Sequence, residues 1–157
     1  MEGTIRAVVA TCTPALHRAS ITAAPSPVNR TSLNVIAAYH GAHDIVIGAR
    51  EGNGLELHAS SQSQVMLAFG DPSLIEETCS ADLPALTSKT ITGPNVLRDR
   101  IDDVRRKGCA LAPEEILLEV NVITAPVFDH NNQLIGTVAL AGSISQTPGT
   151  WHRAMMI

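Results

Sequence analysis

The chain has 157 residues, enough for one ordinary domain and too few for two. Hydrophobic residues make up 45% and aromatics only 3%, so a core can form and must be built mainly from Ala, Val, Ile and Leu. A net charge of −4, with no aromatics interleaved among basic residues, excludes a nucleic-acid-binding face on the chain itself.

Residues 4–20 carry a weak helical pattern through Ile5, Val8, Val9, Ala15 and Leu16. Thr11 and Thr13 are candidate caps, with Pro14 in the first turn. Ala7 to Leu16 is apolar enough to resemble a signal core, but Glu2, the single Arg6 and Pro14 argue against one. Ala24 to Arg30 reads as a loop, Ser32 to Tyr39 as a strand, His40 to His43 as a turn and Asp44 to Ala49 as a returning strand. Glu51-Gly52-Asn53-Gly54 is a second tight turn, where Gly and Asn supply positive φ, and a short strand Leu55-Glu56-Leu57 follows.

Ser60 to Phe69 has helical spacing, with Val65, Met66 and Phe69 on one face. Asp71-Pro72 starts a second helix, Asp as N-cap and Pro at the first helical position, ending near Cys79. Leu83 to Thr92 reads as a loop. Gly93-Pro94 opens a helix over 94–107, with Leu97, Ile101 and Val104 on one face and Arg105, Arg106 and Lys107 in its last turn. Gly108 is its left-handed cap. Val120 to Gly142 then reads as a long antiparallel hairpin, two β-rich runs around the turn Asp129-His130-Asn131-Asn132-Gln133. Two hairpin regions separated by helices predict an α+β fold with a central, mainly antiparallel sheet flanked by helices, not a doubly wound one.

The three cysteines, Cys12, Cys79 and Cys109, are odd in number and widely spaced, which favours reduced thiols and a cytoplasmic location. No run approaches the apolar length of a transmembrane helix.

No catalytic or cofactor signature stands out. Gly52-x-Gly54 opens onto a strand and is a turn. His40-x-x-His43 lies in a turn and is not expected to hold a metal. His58 beside Ser60 and Ser61 reads as packing by the His and capping by the Ser, not as a nucleophile site. Glu114-Glu115, taken as neighbours in a strand, would point to opposite faces and not form an acid–base couple. Leu57 to Gln62 passes from a strand into a helix start, where free backbone N–H groups make a ready anion site.

Several segments resemble, in order, motifs of the C-terminal effector-binding domain of IclR-type bacterial transcriptional regulators. They are Leu57-His58-Ala59-Ser60, Ala68 to Pro72, Leu86 to Ile91, Val104 to Gly108, Glu114-Glu115, Ala125 to Asp129 and Ala141-Gly142-Ser143. The resemblance covers about residues 30 to 147. It implies a GAF-like (profilin-like) fold over 31–147, preceded by an N-terminal helix and loop in 1–30 and followed by a shortened C-terminal segment, 148–157. It implies no catalysis and no cofactor. It implies a small-molecule effector, homodimers, and DNA contact only through a separate winged helix-turn-helix domain, so the chain would be an excised domain or a truncated product. Arg50 to Leu55 is shorter than the family's hairpin there, and the last helix is clipped, which argues against a firm tetramer. The competing reading is a GAF-like sensor, or an enzyme using Cys109 or Cys79, outside transcription.

The resemblance also implies a pocket. The family holds small keto acids with backbone N–H groups at the helix start, here Ser60, Ser61 and Gln62. It adds an aspartate, a cysteine and two serines, where this chain has Ala112, Val122, Ala139 and Ala141. Asn121 stands where the family often carries arginine, and Leu55 and Met66 complete the expected lining. Apolar replacements predict a larger or more apolar ligand, an aromatic or largely apolar acid, with its acid group at the helix start.

Overall fold

The computed structural model describes residues 18–23, 33–40, 52 and 54–144. The strands are β1 (Arg18–Ala23), β2 (Leu33–His40), β3 (Gly54–Leu55), β4 (Ala110–Pro113), β5 (Val120–Phe128) and β6 (Leu134–Ser143). The helices are α1 (Ser61–Phe69), α2 (Ser73–Ser80) and α3 (Pro94–Lys107). The strands form a single sheet in the order β3-β2-β1-β6-β5-β4, and every pairing in it is antiparallel.

α3 is the clearest case of local rules producing local structure. Pro94 sits in its first turn, where no backbone N–H is needed, and Gly108 closes it at φ 73°, its N–H bonded to Val104 O. Leu97, Ile101 and Val104, one face of the helix, are 0%, 1% and 2% exposed. They meet Val65 and Leu67 of α1, Leu74 and Cys79 of α2, Leu83, Ile91 and Ala110 in one apolar core between the helices and the β4 edge. Each such aliphatic side chain contributes about 1.5–3 kcal/mol by burial. The polar face of α3 carries Arg105–Asp102 and Lys107–Asp103 ion pairs, solvated and individually weak.

α1 lies across β4, β5 and β6. Its far end is fastened by an edge-to-face contact between Phe69 and Phe128 at the end of β5, with ring centroids 5.6 Å apart. α2 starts one residue later than expected, with Pro72 rather than Asp71 in the N-cap place, and Asp71 Oδ1 accepts from the Ser73 N–H at 2.9 Å.

Three expectations are corrected. Residues 18–20, read as the end of a first helix, lie in β1, flanked on both sides by β2 and β6. A weak 3.6-residue pattern gave way to two ladders of tertiary hydrogen bonds. The strand expected over Leu55 to Leu57 is confined to Gly54–Leu55, because Glu56 O turns to accept the Ser60 N–H and lead into α1. Glu114 and Glu115 are not in a strand: β4 ends at Pro113, and Glu114 has φ 58°. Gly52 takes the expected positive φ, 81°. Residues 4–17, the loop 24–30, the turn 41–43, the strand 44–49, Cys12 and the segment 148–157 lie outside the described residues.

Candidate functional site

The start of α1 is unusual in what it buries. Five consecutive polar side chains, Ser60 to Gln64, are all inside, none more than 5% exposed. Polar groups in that position must be hydrogen-bonded or carry a large desolvation cost. Ser60, extended at φ −86° and ψ 140°, is the N-cap; its Oγ accepts from the Ser63 N–H at 2.9 Å and bonds the Ser63 hydroxyl at 2.7 Å. Ser60 N–H goes to Glu56 O and Gln64 N–H to Ser60 O. The Ser61 N–H receives no acceptor from the described residues. It stands at the positive end of the helix dipole, where an anion is favoured.

The helix start is fixed to the sheet by a hydroxyl pair, Ser61 Oγ and Thr124 Oγ1, 2.7 Å apart and fully buried. Thr124 is level with Ala110 on β4 and Ala139 on β6; two residues along, Val122 is level with Ala112 and Ala141. Alternation puts both rows on the face under α1. Ala112, Ala139 and Ala141 are 4%, 1% and 8% exposed, and Met66 on α1 is 2% exposed. The register carries this face further: Val35 and Thr137 are both level with Thr22, and Leu55 opposes Leu33. Nine of the expected residues, Leu55, Ser60, Ser61, Gln62, Met66, Ala112, Val122, Ala139 and Ala141, therefore belong to one helix start and one sheet face. Asn121 alternates to the other face, with Ile123.

Sequence reasoning missed two features. Thr124 is one; its period-2 relation to Val122 was available, but its contact is 63 residues away in sequence. Glu115 is the other. It is 2% exposed, with Oε2 accepting from Gln64 Nε2 at 2.8 Å and Oε1 paired with Arg100 Nη1 at 2.7 Å. Burial pushes its carboxyl above the usual carboxylate range, and the Arg100 guanidinium pulls it back. Glu114 is occupied separately, its Oε1 accepting the Glu119 N–H at 3.0 Å.

His58 packs as expected, 3% exposed with Nε2 2.9 Å from Pro84 O. Burial pushes both the Cys79 and Cys109 thiols up, the opposite of what a thiolate nucleophile needs. A cleft of about 240 Å³ opens elsewhere, between the turn ahead of α1 and the end of α2, lined by Glu56, His58, Glu77, Thr78 and Asp82 among others. None of the ten expected residues lines it, and its three carboxylates would repel an acid.

The family model "Bacterial transcriptional regulator IclR C-terminal" matches residues 17–153. The chain belongs to the IclR family. It corresponds to the C-terminal domain of these regulators and has their α+β fold. One IclR-type relative is the HTH-type transcriptional regulator RhmR of Escherichia coli K12, 26% identical over 118 residues, covering 74% of this chain and 45% of that protein. The matched stretch thus spans less than half the length of that regulator. An IclR transcriptional regulator from Alicyclobacillus acidocaldarius superposes with a TM-score of 0.83 at 17% identity, over 98% of this chain and 60% of that one. The inducer-binding domain of PobR from Acinetobacter, a double mutant in complex with 3-hydroxybenzoic acid, superposes with a TM-score of 0.76 at 23% identity, over 95% of this chain and 84% of that one. No helix among the described residues is long and apolar enough to cross a membrane.

Proposed function

We propose that this chain is a single effector-binding domain that takes a small, largely apolar or aromatic carboxylic acid. The acid group sits at the Ser61 and Gln62 end of α1 and the body lies against Val122, Ala139 and Ala141, with Leu55, Met66 and Ala112 completing the wall. The observation that carries the reading is the buried helix start: an N–H at Ser61 with no acceptor among the described residues, over a sheet face of small side chains. The PobR inducer-binding domain, which has the same fold and was solved with 3-hydroxybenzoic acid, supports the ligand class. Occupancy acts in the cytoplasm on DNA through a separate winged helix-turn-helix segment. The domain works as a homodimer, and the exposed apolar run Ile116-Leu117-Leu118 at the β4–β5 turn suits a subunit contact.

The test is thermal shift against 3-hydroxybenzoate and a panel of aromatic and aliphatic carboxylic acids, each beside its uncharged amide. A ligand at a hundred times its Kd stabilises by about 2.7 kcal/mol. Acids are expected to raise Tm and amides are not. A panel in which no acid raises Tm, or amides act equally, sinks the reading. Light scattering that shows a monomer up to near-millimolar concentration sinks the dimer.

A further inference from the structure

The buried ion pair beside α1 is not used by the reading above, although it touches the same helix. We propose that Glu115 is a positioning residue for the start of α1. Its carboxylate, gripped by Arg100, holds the second turn of that helix through Gln64, so that removing either partner of the Glu115–Gln64 bond loosens the helix end assigned to the effector. Only the consequence for ligand binding rests on the effector reading; the positioning itself rests on the geometry.

Glu115 is held from several sides. Its backbone carbonyl accepts from Thr90 Oγ1 at 2.6 Å, and the carbonyl of Glu114 accepts from Thr87 Oγ1 at 2.6 Å. Arg100 of α3 bonds Glu115 Oε1 at 2.7 Å and, with the same nitrogen, the Leu111 carbonyl of β4 at 3.0 Å. Glu115 is therefore fixed by its carboxylate to α3, through Arg100 to the β4 edge, and by its backbone to the loop before α3. Gln64 Nε2, at 2.8 Å from Oε2, links this assembly to α1. Gln64 lies one turn after Ser61 and is fully buried.

The orientation of the Gln64 amide shows that charge controls it. Its Oε1 is buried with no hydrogen-bond partner, a costly arrangement. That orientation persists because the nitrogen faces a carboxylate, and a charge-assisted bond is roughly twice as strong as a neutral one. In Glu115→Gln a neutral amide takes the place of the carboxylate, and the charge-assisted tie is lost. The groups that face Glu115 are Arg100 from α3, Gln64 from α1 and, within electrostatic reach, His58 from the turn ahead of α1. His58 Nε2 is itself engaged with Pro84 O.

Amide hydrogen exchange on the intact chain tests this without any ligand. Wild type, Glu115→Gln and Gln64→Met are compared at neutral pH, with rates corrected for intrinsic exchange. At neutral pH, residues 61–66 are expected to exchange about tenfold faster in Gln64→Met and several-fold faster in Glu115→Gln, while residues 94–107 keep their protection. Unchanged α1 exchange in either variant overturns the proposal. So does faster exchange of α1 and α3 together, which signals general loss of fold. Failure of the acid panel sinks the effector reading alone and leaves this result standing.

Discussion

Ala141→Leu separates a pocket from a packed core. Ala141 is 8% exposed, level with Val122 on β5 and on the sheet face beneath α1. If α1 is packed tightly against it, the added side chain forces neighbours off their rotamers at about 1–3 kcal/mol. For a domain of this size each kcal/mol moves Tm by about 2–4 °C, so a packed site predicts a fall of roughly 2–12 °C. If Ala141 borders space for a ligand, the leucine fills that space and the free protein keeps its stability within about 0.5 kcal/mol. The acid-induced rise in Tm, worth about 2.7 kcal/mol at a hundred times Kd, then disappears. The assay is a melting curve of wild type and variant, with and without the acid that binds wild type. A variant that melts lower yet keeps its response to the acid refutes the assignment of this face as the pocket.

Ile101→Ala should cost about 2–5 kcal/mol in a denaturant titration, because Ile101 is 1% exposed in the interhelical core; a loss under 1 kcal/mol would mean the site collapses around the deletion. Gly108→Ala should cost about 1 kcal/mol by the same measurement, since φ 73° is strained for any residue with a Cβ, and an unchanged midpoint would contradict the cap. Glu115 also predicts a pH effect. Its folded carboxyl is raised, so its contribution favours folding most below the ordinary glutamate range and is lost as pH rises through the folded value. The stability difference between wild type and Glu115→Gln should therefore decline as pH rises from the ordinary glutamate range through the folded value and then level off; a difference that grows with pH would show a depressed carboxyl instead. The isolated chain, acidic overall, should give no sequence-specific, salt-sensitive gel shift with promoter DNA.

Much of the α+β organisation was legible because its determinants are local. Pro94 and Gly108 bracket α3, Leu97, Ile101 and Val104 mark its buried face, and the turn at Asp129 sets the β5–β6 hairpin. Ser60 announced a cap, and the cap formed. Small residues at Ala112, Val122, Ala139 and Ala141 could be placed on one face from alternation once the strands were known. The same alternation moves Asn121 to the other side.

The elements that escaped are those whose energy comes from distant partners. Arg18 to Ala23 has no strong period of its own and becomes a strand because β2 and β6 offer it a ladder on each edge. Thr124 looks like any strand threonine until α1 brings Ser61 within 2.7 Å. Glu115 reads as one of two strand neighbours on opposite faces; burying it is tolerable only because Arg100, 15 residues away, and Gln64, 51 residues away, converge on its two oxygens. By itself the sequence determined the helix ends, the hairpin and the apolar faces, because capping, turn chemistry and periodicity act within a few residues. The tertiary structure alone decided which strand fills the middle of the sheet and which charge is taken inside, because those choices depend on hydrogen bonds and desolvation shared between segments far apart in the chain.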